Sequence, residues 1–93
     1  MNRKIKILSK KYKLKYKDLN SMNECGSFEQ DKITINNTLN KNEQISTLIH
    51  EIIECINYNL ELDLEHNKIN SLETGLFSAL PDIIKEYKRL NNE

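Results

Sequence analysis

His50 and Glu54 stand four residues apart in the stretch Thr47-Leu48-Ile49-His50-Glu51-Ile52-Ile53-Glu54. On a helix that spacing places two side chains on one face, about 6 Å apart, near the separation at which both can hold one metal ion. Imidazole nitrogen and carboxylate oxygen are both zinc ligands. Glu51 follows His50 in the place where, in the helical HExxH arrangement, a carboxylate serves as general base toward metal-activated water. Here the motif reads HExxE, with Glu54 where a second His would stand. The added negative charge makes a bound ion a weaker Lewis acid, which bears on catalysis more than on binding.

A second pair of polar residues lies further along, at His66 and Glu73. Taking Ile69 as the origin of a helical wheel, Leu72, Leu76, Phe77 and Leu80 fall within about 80° on either side, while Glu73 falls near about 40° and His66 near about 60°. An acid and an imidazole thus sit inside an apolar stripe. An unpaired buried carboxylate costs several kcal/mol, so Glu73 requires a partner. The nearest cations in sequence are Lys68 and Lys85, and Lys68 lies on the opposite side of its helix. A divalent ion shared with His50 and Glu54 meets the requirement. The alternatives are protonation of Glu73 or its hydrogen bonding to Tyr58 or Asn57, and for His66 a neutral imidazole opening a helix.

The elements that must position these residues are legible from periodicity. Ile45, Leu48, Ile49, Ile52, Ile53 and Ile56 recur with helical spacing, and Asn40 with Glu43 forms a capping box at their start, so a helix is predicted over 40–60. His50 and Glu54 point away from the isoleucine stripe, toward whatever packs on the helix's other side. Asp63 is a candidate cap for a second helix over 63–90, in which Ile83, Ile84, Tyr87 and Leu90 continue the apolar phase beyond Pro81. Pro81 lacks a backbone N–H, which predicts a kink. Before the helices, residues 4–8 and 12–17 alternate polar and apolar side chains, as paired strands with one buried face do. Cys25-Gly26-Ser27-Phe28 and Lys32-Ile33-Thr34-Ile35-Asn36 flank a polar turn and predict a second hairpin. The expected fold class is α+β, one domain over 1–93, with about four short antiparallel strands in two hairpins over 1–37 followed by the two helices.

Length and composition set the bounds. Ninety-three residues support one core, and a core of that size leaves little stability in reserve. No apolar run reaches membrane-spanning length, and the basic start of the chain leads into alternating Lys, Ile, Leu and Tyr instead of an apolar signal segment. Cys25 and Cys55 lack CxxC spacing and are expected as free thiols in a reducing, cytoplasmic setting. Formal charge is zero but unevenly placed: residues 1–17 carry eight cations and no acid, while 43–73 carry seven acids and the single cation Lys68. Lys4, Lys6, Lys13, Lys15 and Lys17 are read as the solvated face of the first hairpin, so neither nucleic acid nor membrane is the expected partner.

Lys32–Asn36, the HExxE stretch, Leu62-Asp63-Leu64-Glu65-His66 and Leu72-Glu73-Thr74-Gly75-Leu76 together resemble the minimal zincin metallopeptidases of the ImmA/IrrE-like group found in phages and prophages. The likeness covers most of the chain. It implies His50 as first zinc ligand, Glu51 as general base, Glu54 in the second-ligand place and Glu73 as third ligand, as in gluzincins, where that ligand is a Glu on the second helix; Glu73 lies nineteen residues beyond Glu54. In SprT-like zincins a His opening the second helix is the third ligand, which implies the same place for His66. The resulting expectation is a zinc-dependent peptidase of a bacterial host's cytoplasm, acting on a peptide or protein. The alternative is a catalytically inactive zincin-fold interaction or regulatory protein with a structural or vestigial metal site.

Overall fold

The computed structural model describes residues 3–92. Met1, Asn2 and Glu93, which belong to the expected 1–93 extent, lie outside the described residues. Two strands, β1 (Arg3–Ile7) and β2 (Lys10–Lys17), pair antiparallel in register Ile5↔Tyr12 and Lys4↔Lys13. The turn between them is closed by Leu8 and Ser9, both at positive φ (53° and 83°), the left-handed geometry whose twist suits a two-residue hairpin loop. Next, β3 (Gly26–Phe28) and β4 (Lys32–Asn36) form the second hairpin, again antiparallel. Both expected hairpins are therefore present.

Their mutual arrangement departs from an all-antiparallel sheet. The spatial order is β1-β2-β4-β3, and β2 runs parallel to β4 with Leu14↔Ile33 and Tyr16↔Ile35 as partners. Burial accounts for the exchange of β3 and β4. Ile33 and Ile35 of β4 are fully buried, and a central strand is where two such side chains are covered best, whereas the three-residue β3 serves as a short edge. The price of this order is a connection, residues 18–25, that must cross the end of β4. Its contacts satisfy the buried Asn36, whose Nδ2 donates to Asn20 Oδ1 and to the Glu24 carbonyl, both at 2.9 Å.

Helix α1 (Lys41–Leu60) begins at an Asn40 cap. The Glu43 backbone N–H donates to Asn40 Oδ1 at 2.8 Å, and the Asn40 N–H donates to the Glu43 carboxylate at 3.3 Å, the reciprocal capping box expected from the sequence. Leu48, Ile52, Cys55 and Ile56 pack on Ile7, Tyr12, Ile33 and Ile35 of the sheet. Glu61, in the left-handed region at φ 52°, ends the helix.

Helix α2 (His66–Asn91) starts three residues later than Asp63 suggested. Asp63 itself adopts φ 56°, so it belongs to the turn between the helices, and the Leu64 N–H donates to Asn57 Oδ1 at 2.9 Å in that turn. The helix continues through Pro81 without a break. Its apolar stripe is only partly covered: Ile69 is buried, while Leu72, Leu76, Ile83, Ile84, Tyr87 and Leu90 are exposed. For Ile83, Ile84, Tyr87 and Leu90 the reason is length; Leu72 and Leu76 are exposed although they lie alongside α1. Twenty-six residues of α2 lie against twenty of α1, and Ser46, near the start of α1, is already level with Glu73. The last turns of α2 thus extend past their neighbour.

Candidate metal centre

Packing α2 on the side of α1 opposite the sheet brings the polar faces of both helices together. His50, Glu54 and His66 form the group of potential metal donors among the described residues, with one ligand atom from each lying within 4.8 Å of the others. His50 and Glu54 come from successive turns of α1, with Nε2 to Oε2 at 3.9 Å. His66 is the first residue of α2 and meets the His50 ring edge to face at 5.3 Å between centroids. Two imidazoles and a carboxylate converging this closely match the nitrogen and oxygen donors that divalent zinc takes. The chain therefore contains a cluster able to hold a metal ion.

Glu73 occupies a different place from these three. Its Oε1 lies 2.8 Å from His50 Nδ1, and its Oε2 accepts a hydrogen bond from the Ser46 hydroxyl. The partner that Glu73 required is thus supplied by α1 itself, through His50 and Ser46, instead of Tyr58 or Asn57. With the carboxylate ionised, Nδ1 carries the proton, which leaves the lone pair on Nε2, the nitrogen that faces Glu54. This carboxylate–imidazole pairing is the arrangement that orients metal-binding histidines and raises their basicity.

Glu51 is buried, 7% exposed, on the flank of α1 that meets β3. Burial pushes its carboxyl up to about 7; the neighbouring His50 pulls the other way, and the carboxylates of Glu54, Glu24 and Glu73 add to the rise. The approach of β3 to this flank depends on Gly26. A Cβ there would stand 2.7 Å from Thr47 Cγ2, 3.0 Å from the Thr34 carbonyl oxygen and 3.5 Å from Glu51 Cγ. The absence of a side chain at position 26 lets the sheet edge close over α1 at the position of the candidate base.

A cleft of ≈ 480 Å³ opens here, bounded by residues 23–26, by Thr47, His50 and Glu51 of α1, and by His66 and Glu73 of α2. Glu54 reaches the triad from the next turn, outside the cleft lining. A larger cleft of ≈ 610 Å³, between Lys10, Phe28 and Tyr58, contains none of these groups. Tyr58 belongs to that second cleft, 74% exposed and edge-on to Phe28 at 5.9 Å, far in role from the donors on the helix interface.

Sequence reasoning brought His50, Glu51, Glu54, His66 and Glu73 to one region, and the helix packing gathers all five there. It missed Ser46 and the wall formed by residues 23–26. Ser46 lies four residues before His50, so helical spacing alone marks it as a neighbour; the wall follows from strand order, which no local pattern carries. Cys25 is exposed and Cys55 buried, both as free thiols. No helix among the described residues is long and apolar enough to cross a membrane. No family model matches the chain, and no match is found among curated proteins or solved structures.

Proposed function

We propose that this chain is a zincin-like metal-dependent peptidase, with His50, Glu54 and His66 as ligands of one divalent ion, zinc fitting the donor set best. The convergence of those three donors beside a buried Glu51 is the observation that carries the reading. A bound divalent ion would supply Lewis acidity toward a peptide carbonyl. The remaining work falls to the chain's own residues. Glu73 and Ser46 hold the His50 ring in one orientation and one tautomer. Glu51, raised to about 7 by its buried setting, lies in the range suited to accepting a proton from water and returning it to a leaving amine near neutral pH. The positive charge of an ion in the triad favours its ionised, proton-accepting form.

The test pairs a metal assay with proteolysis. Wild-type protein reconstituted with zinc should retain about one equivalent through desalting, and His50→Ala should lose it. Cleavage of casein or a quenched peptide library should require zinc and disappear in Glu51→Gln, with metal retained. Failure of the wild type to hold zinc removes the site. Stoichiometric zinc without cleavage across these substrates favours the non-enzymatic interaction protein, and cleavage surviving in Glu51→Gln removes Glu51 as the base.

A further inference from the structure

The lysines of the N-terminal hairpin do not form an isolated solvated edge. Because β2 pairs in parallel with β4, Lys13 stands between Lys4 on one side and Lys32 on the other, a row crossing three strands. Lys6 likewise faces Lys11. Along β2 itself, Lys11, Lys13, Lys15 and Lys17 alternate with Tyr12 and Leu14, which pack on the core, and with the exposed Tyr16 opposite the buried Ile35, so all four project from the sheet face opposite the helices. At about 6.6–6.8 Å per two residues, that row is roughly 20 Å long.

Among the described residues, no strand contains an Asp or Glu. Lys32 has Glu29 at 3.8 Å, but none of the six lysines on β1 and β2 that share this face pairs with a carboxylate among the described residues. The acids nearest these strands lie in the connections: Asp31 directly precedes Lys32, with its carbonyl accepting the Lys13 N–H at 2.9 Å, while at the far end of β4 the Asp18 carboxylate accepts the Asn20 N–H. Like charges directly opposite one another across strands destabilise a sheet, and Lys4↔Lys13, Lys6↔Lys11 and Lys13↔Lys32 are three such pairs. Ordinary soluble surfaces intersperse both signs. Here the charged residues of the four strands are all cations, and of the fourteen acids only Asp18, Glu24, Glu29 and Asp31, in the connections between strands, precede the helices.

We infer that this sheet face binds nucleic acid through its phosphate backbone. The shape of the patch selects that polyanion over a charged membrane: it is a long row with short flanks, suited to a linear array of phosphates, and the face presents no large apolar side chain for insertion among lipids. Axial spacing agrees, since phosphates of one DNA strand advance about 3.4 Å each and lysines two residues apart advance about twice that. No aromatic ring lies on the face to stack on a base, so binding is independent of sequence. It is separate from the metal centre, on the opposite side of the sheet.

Fluorescence anisotropy with labelled 20-base-pair DNA tests the assignment. Binding at 50 mM salt should weaken steeply by 200 mM, with a log–log slope of about −4 or steeper, as expected for four or more phosphate contacts. Replacing Lys4, Lys13 and Lys15 together by Gln should flatten the slope by about 3 and weaken binding at least about tenfold at 50 mM salt. Thermal stability should not fall, because the substitutions remove repulsion. Replacing Lys68, Lys85 and Lys88 on α2 by Gln should leave binding unchanged. Absence of binding at 50 mM salt, full binding by the strand variant, or stronger binding to phosphatidylserine vesicles than to DNA overturns the inference.

Discussion

The Nδ1 of His50 and the Oε1 of Glu73 lie 2.8 Å apart, joining the middle of one helix to the first turns of the next. That contact ties the tertiary packing of α1 and α2 to the orientation of a single imidazole. Under the proposed function Glu73 is a positioning residue, and its removal should act on metal affinity through His50. Glu73→Gln should weaken zinc binding by about 10–100-fold, the usual effect of losing such an outer partner, with Ser46→Ala weaker in effect. Competition against a chromophoric chelator measures both. A loss as complete as that in His50→Ala would instead make Glu73 a direct ligand.

Metal binding should be visible as folding stability. Ligand at a hundredfold excess over its dissociation constant stabilises a folded protein by about 2.7 kcal/mol. For a domain of this size, that corresponds to a melting-temperature increase on the order of 10 °C or more. Differential scanning fluorimetry with zinc, then with excess EDTA, should show the rise and its reversal. His50→Ala should show neither.

The buried Glu51 makes the metal-free protein sensitive to pH. Its carboxyl is raised from 4.5 to about 7 in the folded chain, so between those values the folded state holds a proton that the unfolded state has released. Stability from this group is therefore fully present below about pH 4.5, declines as pH rises, and is lost above about 7; the shift corresponds to about 2–4 kcal/mol. Chemical denaturation of metal-free wild type and Glu51→Gln across pH 5–8 should show a decline in the first that the second lacks. Parallel pH curves would mean that Glu51 ionises as freely folded as unfolded.

Gly26 is where the sheet edge reaches α1 most closely. Gly26→Ala places a methyl 2.7 Å from Thr47 Cγ2, and overpacking of this kind costs about 1–3 kcal/mol. Thr47→Ser removes the clashing methyl and should recover part of that loss in the double mutant, leaving the contact with the Thr34 carbonyl. Urea unfolding of the four proteins measures the coupling. Equal stability of Gly26→Ala and wild type would show that β3 retreats from the helix at no cost.

Asn40→Ala removes the acceptor for the Glu43 N–H and should cost about 1 kcal/mol, read by the same urea titration. Retained stability would show that water caps the helix equally well.

Local chemistry determined much of this protein from its sequence. Period-two alternation marked β1 and β2, a polar turn marked the hairpin of β3 and β4, helical spacing marked α1, and Asn40 with Glu43 marked where α1 begins, because each of these signals is completed within a few residues. The same helical arithmetic placed His50 and Glu54 on one face and showed that Glu73, inside an apolar stripe, needed a partner. Only tertiary structure decided which partner. Glu73 meets His50 and Ser46 because the antiparallel stagger of α2 on α1 sets those residues level, and that stagger follows from the turn at Glu61 and Asp63. Likewise the exchange of β3 and β4 in the sheet, which puts Lys32 beside Lys13 and Gly26 against Glu51, arises from burying Ile33 and Ile35 at the centre. Strand order is a competition among long-range burials, and neighbouring residues along the chain carry no record of its outcome.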